Sequence, residues 1–293
     1  MDGVSPARTA RGIGLMLFAM LLMASMDASA KLLVEDYAIP QILLVRFLVF
    51  LVFALALARR RGFRATVRSR KPVLQFVRTL VMLAEIYVFV WAFSLLPLAN
   101  VHAIAAVSPL MAMALAVPLL GERVGIHRWS AVGAGLIGVL VIVRPGVAAT
   151  DWTMAIPVLA AFLWALLQIL IRKVGLADPI ETTGLWTAAI SVLALSLVAP
   201  FVWIEPDSRA WGLLLLTGLL GMMGHMMLFK ALELAPASAL QPFSYMMMVW
   251  AALLGFLVFG AFPDGWTVLG AAIIAASGLY AFARERRRPA RAL

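Results

Sequence analysis

Asp27, Lys31, Arg46 and Glu85 are ionisable residues set inside long apolar stretches. A charge in such a stretch is expensive, so it turns inward and marks either a pathway or a structural pair. Asp27 and Lys31 stand four apart, so one helix face presents both. They either pair with each other or line the entrance to a site for a zwitterion. Lys31, near the end of its stretch, can also snorkel to the interface. Arg46 and Glu85 fall at similar depth in neighbouring stretches. They form a buried pair locking the N-terminal half, or Glu85 is protonatable and Arg46 meets a carboxylate. Arg78 lies nearer a stretch end, where it meets headgroups or a helix terminus. His102 and His225 are intramembrane histidines. Each is either a packed, hydrogen-bonded side chain or a group that changes charge near neutral pH. Proton coupling would rest on these histidines with Asp27 and Glu85. His127 falls in a loop and receives no role.

Trp164 and Gln168 stand one turn apart and present an indole beside an amide. Such a face can stack on an aromatic ligand and bond its polar group. Trp186, Gln241 and Tyr245 extend that chemistry, and Trp91 is deep enough to join it. The candidate cavity is therefore Glu85, Trp91, His102, Trp164, Gln168, Trp186, Gln241 and Tyr245. The competing role for Trp and Tyr is the interfacial belt, which suits Trp152, Trp203, Trp211 and Trp266. Met222, Met223, Met226, Met227 and Met246 to Met248 serve as packing or as a pliable cavity wall. There are 0 cysteines and the histidines lack ligand spacing, so no metal or cofactor is expected. No P-loop, zinc-protease motif or nucleophile elbow occurs, so no catalytic constellation and no ATP hydrolysis are expected.

The elements that position these residues are membrane spans. The 293 residues are 64% hydrophobic and 13% charged, too apolar for a soluble domain of this size. The bilayer must solvate the outer face. At roughly 20 apolar residues per span, the chain has room for about ten. The expected spans are 12–33, 40–58, 73–95, 99–119, 129–147, 153–174, 180–203, 211–232, 238–260 and 265–283. Pro40, Pro72, Pro97, Pro145, Pro179, Pro206, Pro236 and Pro263 mark the breaks. The fold class is all-α integral membrane. The first apolar stretch is of span length without an obvious cleavage site, so no signal peptide is expected.

The net charge of +10 is distributed asymmetrically. Arg59, Arg60, Arg61, Arg64, Arg68, Arg70 and Lys71 follow span 2. Arg123 and Arg128, Arg172 and Lys173, and the basic tail over 284–293 fall on the same side. Glu35, Asp36, Asp151, Glu205, Asp207 and Asp264 fall on the other, against Arg144 and Arg209. The positive side is cytoplasmic, which predicts cytoplasmic termini. Topology accounts for the charge, and nucleic acid is not an expected partner. The bilayer and a small molecule are.

The two halves repeat. Ala92-Phe-Ser-Leu-Leu-Pro97-Leu-Ala99 recurs as Ala231-Leu-Glu-Leu-Ala-Pro236-Ala-Ser238, a displacement of 139 residues. Gly121 recurs as Gly260, and Trp129 to Gly133 as Trp266 to Gly270. Asp27 and Lys31 line up with Gln168 and Arg172, and Pro40 with Pro179. The repeats cover 12–147 and 152–283. Each holds five spans, an odd number, so the second enters the membrane inverted. Inverted repeats serve alternating access to a site near the midplane.

The sequence resembles the drug/metabolite transporter superfamily in its EamA-type ten-helix branch. The residues carrying the resemblance are Ala92 to Ala99, Pro109, Gly121-Glu122-Arg123, Trp129, Gly133 and Gly138. The second half departs from the pattern at Ala261, which stands where Glu122 stood. The resemblance spans about 12–283 and implies ten helices as two inverted five-helix repeats in the bacterial inner membrane. It implies a secondary transporter of small organic metabolites. Its members include exporters of amino acids, with a YddG-like aromatic branch, and importers of riboflavin and S-adenosylmethionine. The expectation adopted is amino-acid export, with import of such a metabolite as the alternative.

Overall fold

A computed structural model describes residues 6–121, 125–144, 152–175, 177–235 and 237–286. Its helices are α1 (Pro6–Leu33), α2 (Ile39–Arg61), α3 (Phe63–Val67), α4 (Pro72–Leu95), α5 (Leu98–Ala105), α6 (Ser108–Leu120) and α7 (Ile126–Val143). The remainder are α8 (Ala155–Gly175), α9 (Ile180–Ser196), α10 (Ser208–Leu234), α11 (Ala237–Ser244), α12 (Met246–Phe259) and α13 (Gly265–Arg286). Eight segments are long and apolar enough to cross a bilayer, and shorter apolar helices within α7 and α9 complete ten crossings. Glu122, Arg123 and residues 287–293 of the basic tail lie outside the described residues.

Proline sets several boundaries. Pro40 and Pro72 sit in the first turns of α2 and α4, where a missing amide costs nothing. Span 7 is helical only to Ser196 and continues as a single tight turn, Ala199–Val202. Pro200 has no N–H for the Ser196 carbonyl and its ring crowds that carbonyl, which ends α9.

Spans 4 and 9 are each broken in two. The interruptions fall at Ala106–Val107 and at Tyr245, equivalent places in the repeats. Pro109, in the first turn of α6, accounts for the first break because it cannot bond back to Ala105. Pro242 lies inside α11, ahead of the second. Both broken spans end on a left-handed glycine, Gly121 at φ 70° and Gly260 at φ 66°, a conformation that glycine adopts without steric cost.

The repeats interleave. α1 packs most extensively on α10, and its counterpart α8 packs on α4. α2 lies against α10, and α9 against α4. α11 and α12 cover α1, as α5 and α6 cover α8. One bundle is thus α1, α2, α10, α11 and α12; the other is α4, α5, α6, α8 and α9. Each draws two spans from each repeat.

Small residues permit the close contacts expected where no hydrophobic force drives helices together. A Cβ on Gly218 would lie 2.9 Å from Val49, on Gly221 2.7 Å from Met26, and on Gly224 2.8 Å from Met23. Gly138 of α7 and Gly270 of α13 meet back to back: a Cβ on either would stand 2.8 or 2.6 Å from the other's carbonyl oxygen. Gly133, grouped with these by sequence, faces open space.

The start of α1 and the end of α13 share one face, the terminal face; the opposite is the far face. α7 and α13 are tied at both. Tyr280 Oη lies 3.2 Å from His127 Nδ1 on the terminal face. On the far face Arg144 pairs with Asp264, which also caps α13 by accepting from Thr267 N at 2.8 Å.

Candidate functional site

Five ionisable side chains from five helices share the centre. Asp27 (α1) and His102 (α5) are both buried, at 6% and 5% exposure, with Oδ2 and Nε2 3.3 Å apart. That separation is within ion-pairing distance, an ion pair forming only when the imidazole is protonated, and His102 Nε2 has no aligned hydrogen-bond partner. Phe89 stands edge-on to the imidazole with centroids 5.3 Å apart, and Phe93 lies tilted at 5.6 Å. The short α5, between Pro97 and the break, delivers His102 to this depth.

Arg46 (α2) interacts electrostatically with Asp27 and Glu85 (α4). His225 (α10) feels both Arg46 and Asp27. Its Nδ1 lies 2.7 Å from the Gly221 carbonyl. A carbonyl only accepts, so Nδ1 carries the hydrogen and Nε2 is the nitrogen that titrates. Arg46 stays partly accessible beside the Gly221 turn. Two carboxylates, two imidazoles and one guanidinium therefore share the centre, and a cationic group of a bound molecule would find acidic partners there.

The sequence-derived pairings resolve differently from either local reading. Asp27 does not pair with Lys31; it reaches His102 in the opposite bundle. Lys31 Nζ instead donates to the Phe93 carbonyl and, at 3.0 Å, to the Leu96 carbonyl at the end of α4. It also sits 5.4 Å over the Phe259 ring. The last carbonyls of a helix have no partner within it and favour a cation. Arg46 and Glu85 interact across the bundles, with no direct ion-pair contact between them among the described residues.

The other candidates are scattered. Trp91 is partly exposed and lies 6.2 Å from Trp152, at the interface rather than in the centre. Trp186 donates its indole N–H to the Val67 carbonyl at 2.9 Å, joining α9 to α3. Tyr245 packs its hydroxyl on Gly278 of α13. Gln241 lies in α11, and its side chain is outside the described residues. Trp164 is half-buried and Gln168 exposed. They share a helix face with Pro157, Ala161, Arg172 and Gly175, which is buried at Pro157 and Ala161 and exposed from Gln168 onward. That face opens towards the terminal face of the protein.

The same asymmetry recurs in the packing. α1 touches α4 near the far face, whereas α8 and α10, their counterparts, make no comparable contact. α5 packs on α12 near the far face, whereas α6 and α11 do not pair comparably. These two pairs join the bundles near the far face without an equal near the terminal face, while α2 against α9 joins them along a separate seam.

Sequence reasoning did not single out a polar seam between α4 and α9. Asp178 accepts from Ser69 Oγ, from Arg70 N at 2.7 Å and from Gln75 Nε2 at 3.0 Å. Desolvation disfavours its charge, but these donors outweigh it and hold the carboxyl below its usual range. Deeper, Arg78 donates to Thr79 and Thr187. Arg78 is buried in this seam rather than at a headgroup. The mirrored junction is held by Gln41, which donates to the Ile204 carbonyl at 2.7 Å and accepts from its N–H at 2.9 Å. Proline-flanked loops bring both together, and only the donor–acceptor residue types signal them in sequence.

Interleaved inverted repeats, two broken spans at equivalent positions and a buried charge cluster between two bundles are the features of a membrane transporter. The chain belongs to the EamA-like transporter family, which it matches over residues 10–144 and 152–282. It is 32% identical over 242 residues to a riboflavin transporter of Rhizobium johnstonii, covering 81% of this chain and 78% of that one. It is 30% identical to a riboflavin transporter of Vibrio cholerae, covering 89% of each. An S-adenosylmethionine uptake transporter of Rickettsia felis is 24% identical, covering 96% and 95%. A crystal structure at 23% identity superposes with a TM-score of 0.60 over 95% of this chain and 98% of that one, and supports the fold. These names favour the import alternative over amino-acid export.

Proposed function

We propose that this protein takes up a riboflavin-type metabolite across the bacterial inner membrane by alternating access. The carrying observation is the Asp27–His102 contact with Arg46, Glu85 and His225 around it, buried where the two bundles meet. The half-buried ring of Phe89 beside His102 suits a flat ring system, and the polar groups suit its edges and hydroxyls. The riboflavin transporters among its relatives support that cargo. The basic residues of the terminal face support a cytoplasmic assignment for that side, where the α8–α10 and α6–α11 pairs lack the contacts of their counterparts. The two carboxylates beside a single guanidinium favour a second reading, S-adenosylmethionine, whose sulfonium they would attract.

Proteoliposome uptake with radiolabelled riboflavin, S-adenosylmethionine, phenylalanine and tryptophan decides between them. Saturable riboflavin uptake, competed by unlabelled riboflavin, supports the first reading. S-adenosylmethionine flux alone supports the second. Amino-acid flux with silence on both would overturn import of either.

A further inference from the structure

The Lys31 contact ties the end of α1 in one bundle to the end of α4 in the other, and so closes the far face. The repeat supplies every part of a second such device on the terminal face. Arg172 is the counterpart of Lys31, and each stands in the last turn of its helix, α8 and α1. α10 is the counterpart of α4, and the two helices end alike. Leu96 N–H bonds the Ala92 carbonyl at 2.9 Å and Ala235 N–H bonds the Ala231 carbonyl at 3.0 Å. Both terminating residues are extended, at φ −130°, ψ 154° and φ −143°, ψ 147°. The partners of Lys31, Phe93 and Leu96, therefore correspond to Leu232 and Ala235. In this conformation Arg172 is exposed and α8 and α10 make no contact comparable to that of α1 with α4.

We infer that Arg172 is a positioning residue for transport. When the terminal face closes, its guanidinium donates to the carbonyls at the end of α10, at Leu232 and Ala235, as Lys31 does at the end of α4. The two latches exclude each other because each draws the same two bundles together at opposite faces. A guanidinium carries five donors in a planar fork and suits two carbonyls at once. The inference rests on the alternating-access reading above but not on the identity of the cargo.

The chain has 0 cysteines, so introduced labels are unique. One labelled protein carries Gly175→Cys and Glu233→Cys across the terminal face. A second carries Asp36→Cys and Ser94→Cys across the far face. All four positions are exposed, and pulsed-EPR distances are read in lipid nanodiscs. Lys31→Ala should lengthen the far-face distance and shorten the terminal one, moving the ratio of states by about tenfold or more, as expected for two charge-assisted bonds. Adding Arg172→Ala should abolish the terminal shortening while the far face stays released, and Arg172→Lys in its place should restore it. A terminal face that still shortens without Arg172 overturns the latch and leaves alternating access standing. Distances that Lys31→Ala does not move at either face overturn both.

Discussion

Gly138→Ala and Gly270→Ala test whether α7 and α13 act as one rigid pair. A Cβ at 138 would stand 2.8 Å from the Gly270 oxygen and 2.7 Å from Ile274; one at 270 would stand 2.6 Å from the Gly138 oxygen and 2.5 Å from Ile142. Ordinary contact begins near 3.4 Å, so the axes must part by about 0.6 to 0.8 Å, enough to forfeit a quarter to a half of each lost contact's well depth. The obstructing oxygens are backbone and cannot rotate away, so each single change should cost about 1–3 kcal/mol, as overpacking does. Both changes open the same seam. The double variant should therefore cost less than the sum by at least about 0.5 kcal/mol, because the first alanine already makes room for the second. The assay is equilibrium unfolding in mild detergent followed by tryptophan emission, with the double-mutant cycle completed. Strict additivity, or two singles as stable as the parent, would refute the back-to-back contact.

Asp27→Asn and His102→Gln should each lower uptake at least tenfold at unchanged membrane abundance; normal rates in both would remove the contact from the transport mechanism. Trp164→Ala should reduce uptake without reducing expression, and unchanged uptake would remove Trp164 from the substrate path. Asp178 has a depressed folded pKa, so its contribution is complete above its unfolded value of about 3.9 and is lost as pH falls through the folded one. Asp178→Asn should accordingly flatten the acid limb of a stability–pH profile, and a parallel profile would show that the carboxylate contributes nothing. Gln41→Leu deletes both bonds to Ile204 in a buried position and should destabilise by about 2 kcal/mol or more, measured by the same unfolding assay.

The scaffold was largely legible because its signals are local. Pro97 and Pro236, Gly121 and Gly260, and the span-length apolar runs each act within a few residues, so the repeat could be read from spacing alone. The breaks in spans 4 and 9 were missed although Pro109 and Pro242 were visible, since an apolar run reads as one helix whether or not it is continuous. The buried charged residues were legible by type but not in their pairing. Asp27 and Lys31 face the same way at i and i+4, which suggests a local bond, yet each finds a better partner across the bundle interface. Trp91, Trp186 and Tyr245 were misplaced for the same reason: amphipathic aromatics near span ends serve belts, loops and neighbouring glycines as readily as cavities. What decides among those uses is which spans touch, and interleaving puts non-consecutive spans side by side.

Interleaving also governs how the protein must be made. Synthesis delivers the first repeat to the membrane before α8, α10 and α12 exist. Until α10 arrives, α1 lacks the helix it packs on most extensively, and the close seats of Met23, Met26 and Val49 against Gly218, Gly221 and Gly224 have no second surface. Asp27, Arg46, Glu85 and His102 are by then all made, but His225 and the α10 surface that completes their surroundings are not. Neither repeat therefore buries its own contact faces: α1 waits for α10 and α12, and a chain that stops short of them leaves that helix without its main packing surface.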